Sequence, residues 1–319
     1  MTGTARIMRG LGDPVSGNQD AMTQVAVVVH EGKLAALRGP DLRALLRAAL
    51  TERGEPPPRE YATSDADAGT EVTRTALAEG AQLVVVCGGD GTVSACAAAL
   101  AGTGVPMAVV PAGTGNLVAG NLGLPREPQE AVAVALDGVD RRLDLGRIGD
   151  GVVVGMAGLG LDAAMVQDAP HALKRRLGWP AYVVSLLRHL RDRHLTLVLD
   201  VDGDRTVHRN VAGVVVGNMG QLHGGLALFP DAQPDDGLLD VVVIAPRGIR
   251  GWVAGIVDLL RGKRNSSALQ RRRGRRIVVT GERPMRREAD GDALPDDRVM
   301  DVAVEPGALL LRTPAENAG

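Results

Sequence analysis

The sequence predicts an α/β protein in two parts: a parallel α/β domain over residues 25–143, then an antiparallel β domain over 144–299. Three observations carry this. Before residue 143, short apolar runs alternate with segments of helical period, the rhythm of a parallel sheet covered by helices on both faces. After it, apolar strands follow one another across turns, which favours an antiparallel sheet or β-sandwich. Finally, two glycine-rich turns, GGDGT and AGTGN, fall at the carboxyl ends of strands, where open α/β sheets place their ligands.

The elements follow in order. Residues 1–24 are polar and glycine-rich without periodicity and read as a disordered extension. VAVVV (25–29) reads as a buried parallel strand. PDLRALLRAALTERG (40–54) sets Leu42, Leu45, Leu46 and Ala49 at helical spacing and stops at Gly54. EPPPREYATS (55–64) reads as a loop and AGTEVTRTALAEG (68–80) as a second helix. LVVVC (83–87) is the next strand, VSACAAALAG (93–102) a helix, PMAVVP (106–111) a strand and 128–137 a helix. Then come the strand-like runs DLGRI, GVVVGMAG, LTLVLDVDG, HRNVAGVVVGN, GLLDVVVIA, RRIVVTG and VMDVAVEPGALLLR. Helices over 170–193 and 247–262 interrupt them. The last run, within 300–313, is a candidate to complete the first domain.

Composition narrows the function. The 319 residues are 45% hydrophobic and 23% charged, which is globular, and only 2% aromatic, so Val, Leu, Ala and Ile must build the cores. The formal charge of −2, with no aromatic platform or recognisable module, argues against nucleic acid as partner. Cys87 and Cys96 have no CxxC or Cys/His ligand spacing, so neither a disulfide framework nor a zinc site is expected, which suits a reducing cytoplasm. No apolar run reaches the roughly 18 residues of a membrane span, so membrane contact is expected to be peripheral. Two basic stretches, 171–195 and 261–276, are candidates to meet anionic headgroups.

The turn CGGDGTV poses the chemical question. Glycines between a strand and a helix let backbone N–H groups approach an anion. Neither common phosphate fingerprint is present: there is no GxxxxGK[ST], and GTGNLVAG lacks GxGxxG spacing. Asp90, inside the turn, sits awkwardly beside phosphate unless a metal or a proton-transfer role compensates.

GGDGTVSACAAAL, PAGTGNLVAGNLGLP, the GN of GVVVGNMGQLHGG, LFPDAQPDDGLLDVVVI and EADGD occur together and in this order. In these motifs the chain resembles the bacterial diacylglycerol kinases and sphingosine-kinase-like lipid kinases over residues 25–312. The resemblance implies a Rossmann-like nucleotide domain of the NAD kinase and phosphofructokinase type, joined to a β-sandwich-like domain. It implies an ATP site at Gly88, Gly89, Asp90, Gly91, Thr92, Thr114 and Thr63. It implies a structural Mg2+ held by Asp236 with backbone oxygens of Gln233 and Leu238, a second Mg2+ accompanying ATP, and a proton-accepting carboxylate at Asp292. With the arm one methylene shorter than a glutamate's, either the backbone compensates or Asp290 or Asp90 shares that work. The implied reaction is transfer of the ATP γ-phosphate to the hydroxyl of a diacylglycerol-like lipid at a membrane surface. An NAD kinase-like enzyme and a degenerate nucleotide- or lipid-binding protein are the alternatives. Three departures stand out: Asp292 in place of Glu, Leu117 where many members have aspartate, and HEGK (30–33) in place of an Asn-Pro pair. Exposed strands in the second domain are compatible with a homodimer.

Overall fold

The computed structural model describes residues 24–35, 41–64, 66–160, 195–222 and 226–315, and the side chain of residue 249 is excepted. The segment 1–23, the helix expected over 170–193 and most of the basic stretch 171–195 therefore lie outside the described residues.

The N-terminal half alternates strand and helix: β1 (Val25–Val29), α1 (Glu31–Leu34), α2 (Leu42–Glu52), β2 (Arg59–Ala62), α3 (Thr70–Ala78), β3 (Leu83–Gly88), α4 (Asp90–Leu100), β4 (Met107–Pro111), α5 (Leu117–Asn121) and α6 (Pro128–Asp137). Strands follow in the C-terminal half: β5 (Val139–Ile148), β6 (Gly151–Val153), β7 (Met156–Gly160), β8 (Leu195–Val201), β9 (Asp204–Val211), β10 (Gly213–Gly217) and β11 (Leu239–Ile244). After α7 (Gly248–Leu260) come β12 (Leu269–Gly274), β13 (Arg276–Ala289) and β14 (Asp292–Thr313).

Strands β2, β1, β3 and β4 pair in parallel, in the spatial order β4-β3-β1-β2. Period-two alternation sends their side chains to opposite faces. Val25, Val27 and Val29 pack with Leu42, Leu46 and Leu50 of α2 and Ala131 and Ala135 of α6. Ala26 and Val28 face the other way, toward Ala76 of α3 and Cys96, Ala97 and Leu100 of α4. Both faces are covered, so the strands read as continuous apolar runs. REYA (59–62) is the exception. It reads as a loop in sequence yet pairs with Ala26–Val29, because an edge strand with one neighbour can leave its residues polar and largely exposed.

The second half is antiparallel, in the order β12-β11-β10-β7-β13-β14, with β8 and β9 attached to β13. Its own core gathers Leu197, Leu199, Val214, Val216, Val241, Val243, Ile277, Val279, Met300 and Val302. The sheets are continuous through β14, the 22-residue final strand. Its first half pairs with β13, its last residues run beside β5, and Leu311 lies opposite Met107 of β4 in parallel. The chain end is thereby a fixed strut between the two halves.

Candidate functional site

The carboxyl ends of β4, β3, β1 and β2 lie side by side and present, respectively, residues 113–116, 88–92, 30–33 and 63. Adjacent strands stand about 4.8 Å apart, so this edge spans roughly 14 Å from β2 to β4. The backbone ties it together: Ala112 N–H donates to Gly88 O at 2.9 Å, His30 N–H to Cys87 O at 3.0 Å and Thr63 N–H to Val29 O at 2.8 Å.

The GGDGT turn owes its shape to close approaches. A Cβ on Gly88 would lie 2.6 Å from the Thr92 Cβ, and one on Gly113 would lie 2.7 Å from the Gly89 Cα. Only hydrogens fit, so the two glycine turns pack backbone against backbone. Helix α4 starts immediately after, with Gly89 as N-cap and no side-chain cap. Its first intrahelical bond runs from Val93 N–H to Gly89 O, so the N–H groups ahead of it turn outward at the carboxyl edge. That is a cradle for an anion, placed at the positive end of an 11-residue helix. Thr92 brings its N–H to this edge, but its side chain is buried against Gly88. The open side is Gly91, where an added Cβ would meet nothing within 4 Å.

Asp90 has a different position from the one its chemistry suggests in sequence. Its carboxylate accepts from Asn116 N–H at 2.9 Å and Leu117 N–H at 2.5 Å. Asn116, at φ 51°, in turn receives Gly113 N–H on Oδ1 at 2.9 Å and donates Nδ2–H to Gly113 O at 2.9 Å. The acid in GGDGT thus fastens the AGTGN turn to the phosphate cradle, and both motifs form one rigid edge. Each Asp90 oxygen thus accepts a backbone N–H of the neighbouring turn, a structural task beside the metal or proton-transfer role that the sequence suggests. Thr114, at the tip of the second turn, is exposed; Thr63 stands at the far end of the edge, half-buried. Lys33, from the HEGK departure, was not singled out as a site residue. Its Cε lies 3.9 Å from the position of a Cβ on Gly89, so its ammonium is within reach of whatever anion occupies the cradle. A lysine just past the first strand end was the available signal.

The EADGD motif forms a two-residue hairpin between β13 and β14. Asp290 (φ 50°) and Gly291 (φ 94°) occupy the left-handed positions of a type I′ turn, and Ala289 pairs with Asp292. The two aspartates differ sharply. Asp290 receives Val154 N–H at 2.8 Å, Gly155 N–H at 2.8 Å and Met156 N–H at 3.0 Å, together with a bond to the Ser94 side chain of α4. Burial pushes its pKa up while these donors pull it back. It staples the second domain onto α4. Asp292 is exposed, and its carboxylate makes no hydrogen bond or ion pair among the described residues. A Cβ on Gly155 would lie 2.5 Å from Leu117 Cδ2 and 3.1 Å from Asp290 Oδ1. The chain of contacts from Asp90 through Leu117 and Gly155 to Asp290 therefore fastens the Asp292 hairpin to the glycine edge. Leu117, a departure from the family pattern, fills the seam.

The loop carrying Gln233, Asp236 and Leu238 is latched differently from the resident Mg2+ that the resemblance implies. Asp236 ion-pairs with Arg273 through one oxygen, and its other oxygen accepts Leu238 N–H at 3.1 Å. Arg273 Nε also lies 3.3 Å from Asp240, whose pKa burial pushes up to about 6 despite that cation. Asp235 pairs with Arg141 at 2.8 Å and Asp231 with Arg264 at 2.8 Å. Beneath, buried Asp144 accepts Gly237 N–H at 2.6 Å and Gly307 N–H at 2.7 Å, and Asn218 Nδ2 donates to Asp144 O at 2.6 Å. Gln233 lines an open cleft of about 530 Å³ with Pro230, Asp231, Ala232, Arg264 and Arg273. Every carboxylate of this loop is matched to an arginine, and no cluster of three or more His, Cys, Asp or Glu able to hold a metal occurs among the described residues. These residues do not fit a resident divalent ion: a guanidinium stands against the carboxylate that would bind it.

The basic stretch 261–276 is likewise not the open cationic patch that sequence suggests. Of its eight basic residues, Lys263, Arg264, Arg272, Arg273 and Arg276 are ion-paired. Arg271 is half-buried and donates to the carbonyls of Leu228, Lys263 and Arg264. Three of the eight, Arg271, Arg272 and Arg273, lie on strand β12, and Arg261 and Arg275 are exposed without an ion pair among the described residues.

A parallel sheet with a glycine-lined anion cradle at its carboxyl edge, continuous with a β-sandwich-like domain, is a build shared with two-domain kinases. Residues 32–148 match the diacylglycerol kinase catalytic domain, and residues 155–313 match the YegS C-terminal NAD kinase beta sandwich-like domain. The chain belongs to the family of bacterial diacylglycerol kinases and YegS-like lipid kinases. It is 32% identical over 295 residues to a Pseudomonas aeruginosa protein named "Probable lipid kinase YegS-like", covering 92% of this chain and 95% of that one. It is 35% identical over 191 residues to a diacylglycerol kinase of Mycobacterium tuberculosis, covering 58% of this chain and 62%, under two thirds, of that relative. Among solved structures, a diacylglycerol kinase from Bacillus anthracis shares the fold at a TM-score of 0.71 and 22% identity, over 91% of this chain and 96% of that one.

Proposed function

We propose that this protein transfers the γ-phosphate of ATP to the hydroxyl of a diacylglycerol-like lipid. The observation that carries the reading is the single fastened edge: a helix N-terminus opened by Gly88–Gly91, locked to the 113–116 turn by Asp90, with the hairpin that carries exposed Asp292 tied to it through Asp290, Gly155 and Leu117. Phosphoryl transfer needs little covalent help; it needs the phosphates positioned and the developing charge met by donors.

Each part has a task. The outward N–H groups at the start of α4 grip the nucleotide phosphates, Lys33 adds a cation above them, and Thr63 and Thr114 bracket the site at the two ends of the edge. Magnesium arrives with ATP as part of the nucleotide substrate and neutralises phosphate charge. Asp292 accepts the proton of the lipid hydroxyl as that oxygen attacks phosphorus in line with the departing ADP oxygen. Because its carboxylate has no partner among the described residues, it is free to accept, whereas Asp290, held by three backbone donors, keeps the hairpin in place. No helix of the described residues is long and apolar enough to cross a membrane.

The test is a radiolabelled-ATP assay against a total lipid extract, with NAD as a parallel acceptor. Label in a lipid soluble in organic solvent, lost with Asp292→Asn while ATP binding persists, is the expected result. Label in NADP instead, or nucleotide binding with no labelled product from any acceptor, overturns the lipid assignment.

A further inference from the structure

Helix α7 bridges β11 and β12, and its inner face is fully used. Trp252 is buried, a Cβ on Gly255 would lie 3.1 Å from the Ala268 Cβ, and buried Asp258 holds Lys263 Nζ at 2.7 Å. The outer face has no such cover among the described residues. Val253 and Leu260 are each 53% exposed, although both are large apolar residues on a helix, and Ile256 and Val257 are half-buried between them. The spacing 253, 256, 257, 260 confines these four to roughly 100° of arc at 3.6 residues per turn. Single exposed apolar residues are ordinary; a contiguous stripe two turns long is not.

The charge around this stripe has one sign. Arg247, Arg250 and Arg261 are exposed at its margins and form no ion pair among the described residues. The helix's only acid, Asp258, is turned inward to Lys263. This contrasts with Arg264, Arg272, Arg273 and Arg276, whose charges are neutralised within the fold. We propose that α7 is the membrane-docking element: its Val253–Leu260 stripe enters the headgroup boundary of a bilayer, and Arg247, Arg250 and Arg261 meet anionic lipids. An amphipathic helix lying in the interface plane has this combination of apolar face and basic margin. A second copy of the chain is the poorer occupant, since a two-fold contact through this face would bring the same arginines against one another. The choice of a lipid surface rests on the lipid-kinase reading.

The experiment is flotation of the purified full chain with phosphatidylcholine vesicles, with and without phosphatidylglycerol, at low and high salt. Wild-type protein should float with phosphatidylglycerol vesicles, and salt should weaken this on the order of fivefold per arginine engaged. Val253→Glu/Leu260→Glu should bind on the order of tenfold or more weakly, and Arg247→Gln/Arg250→Gln/Arg261→Gln should lose the preference for phosphatidylglycerol. Both variants alter exposed positions, so an unchanged melting temperature confirms that they fold. Both should phosphorylate a short-chain, water-soluble diacylglycerol as the wild type does, and fail only on lipid embedded in vesicles. Vesicle binding without phosphorylation of any lipid keeps the docking surface and removes the kinase reading. Undiminished binding by the folded glutamate variant overturns the docking surface. So does a wild-type dimer that the glutamates dissociate while vesicle binding stays the same.

Discussion

Replacing Asp90 by asparagine separates two roles for the acid in GGDGT. In the structure its two oxygens accept from Asn116 N–H at 2.9 Å and Leu117 N–H at 2.5 Å, across 26 and 27 residues of sequence. An asparagine amide keeps one acceptor and turns an NH2 group toward the other N–H, so one charge-assisted bond is lost and a donor faces a donor. A hydrogen bond to a charged group contributes about 1.5–3 kcal/mol, and this one is half-exposed, so a loss of about 2 kcal/mol is expected. For domains of this size that lowers the melting temperature by roughly 4–6 °C. With the 113–116 turn loosened, the KM for ATP should rise more than kcat falls. Differential scanning fluorimetry and steady-state kinetics on one preparation read both effects. An unchanged melting temperature together with a collapse of kcat at unchanged KM would show that Asp90 acts in proton or metal chemistry, and would refute the structural tie.

The other sites give sharper contrasts. Asp292→Asn should abolish phosphoryl transfer yet shift the melting temperature by less than about 1 °C, because the carboxylate is exposed and unpartnered; a retained rate would move the base elsewhere. Lys33→Met should raise the KM for ATP on the order of tenfold, equivalent to about 1.4 kcal/mol, with ATP titration calorimetry as the check. At the loop before β11, EDTA and Mg2+ should leave the melting temperature of nucleotide-free protein unchanged, since Arg273 already occupies Asp236 and lies 3.3 Å from Asp240. Arg273→Met should destabilise the protein and make Mg2+ stabilising, and a metal-dependent wild type would contradict the arginine latch. Cys87 and Cys96 are fully buried, and burial pushes both thiols up to about 12. Neither should react with iodoacetamide at pH 8 until denaturant is added, as mass spectrometry of the labelled chain would report.

How much of this is legible in sequence depends on the range over which each group finds its partner. VAVVV, LVVVC and PMAVVP announce buried parallel strands because burial on both faces demands apolar residues at every position. The cradle at Gly88–Thr92 is legible for a similar reason: a backbone that must meet Thr92 and Gly113 without room for a Cβ can be built only with glycine. REYA is illegible because an edge strand has one neighbour and its side chains are largely exposed, so pairing to Ala26–Val29 leaves no mark on its composition. The charged residues mislead most. LQRRRG looks like a cationic surface, but Arg272 meets Asp204 across 68 residues and Arg273 meets Asp236 across 37. A local count of charge cannot see those acids, so it overstates the basic patch and, at the other end of the same bond, suggests a free metal-binding carboxylate at Asp236. The Arg273–Asp236 pair thus bears on two expectations at once, since it takes one cation from the basic stretch and sets a guanidinium against the carboxylate expected to bind magnesium. Basic residues left exposed without an ion pair among the described residues include Arg247, Arg250 and Arg261, on and at the two ends of α7.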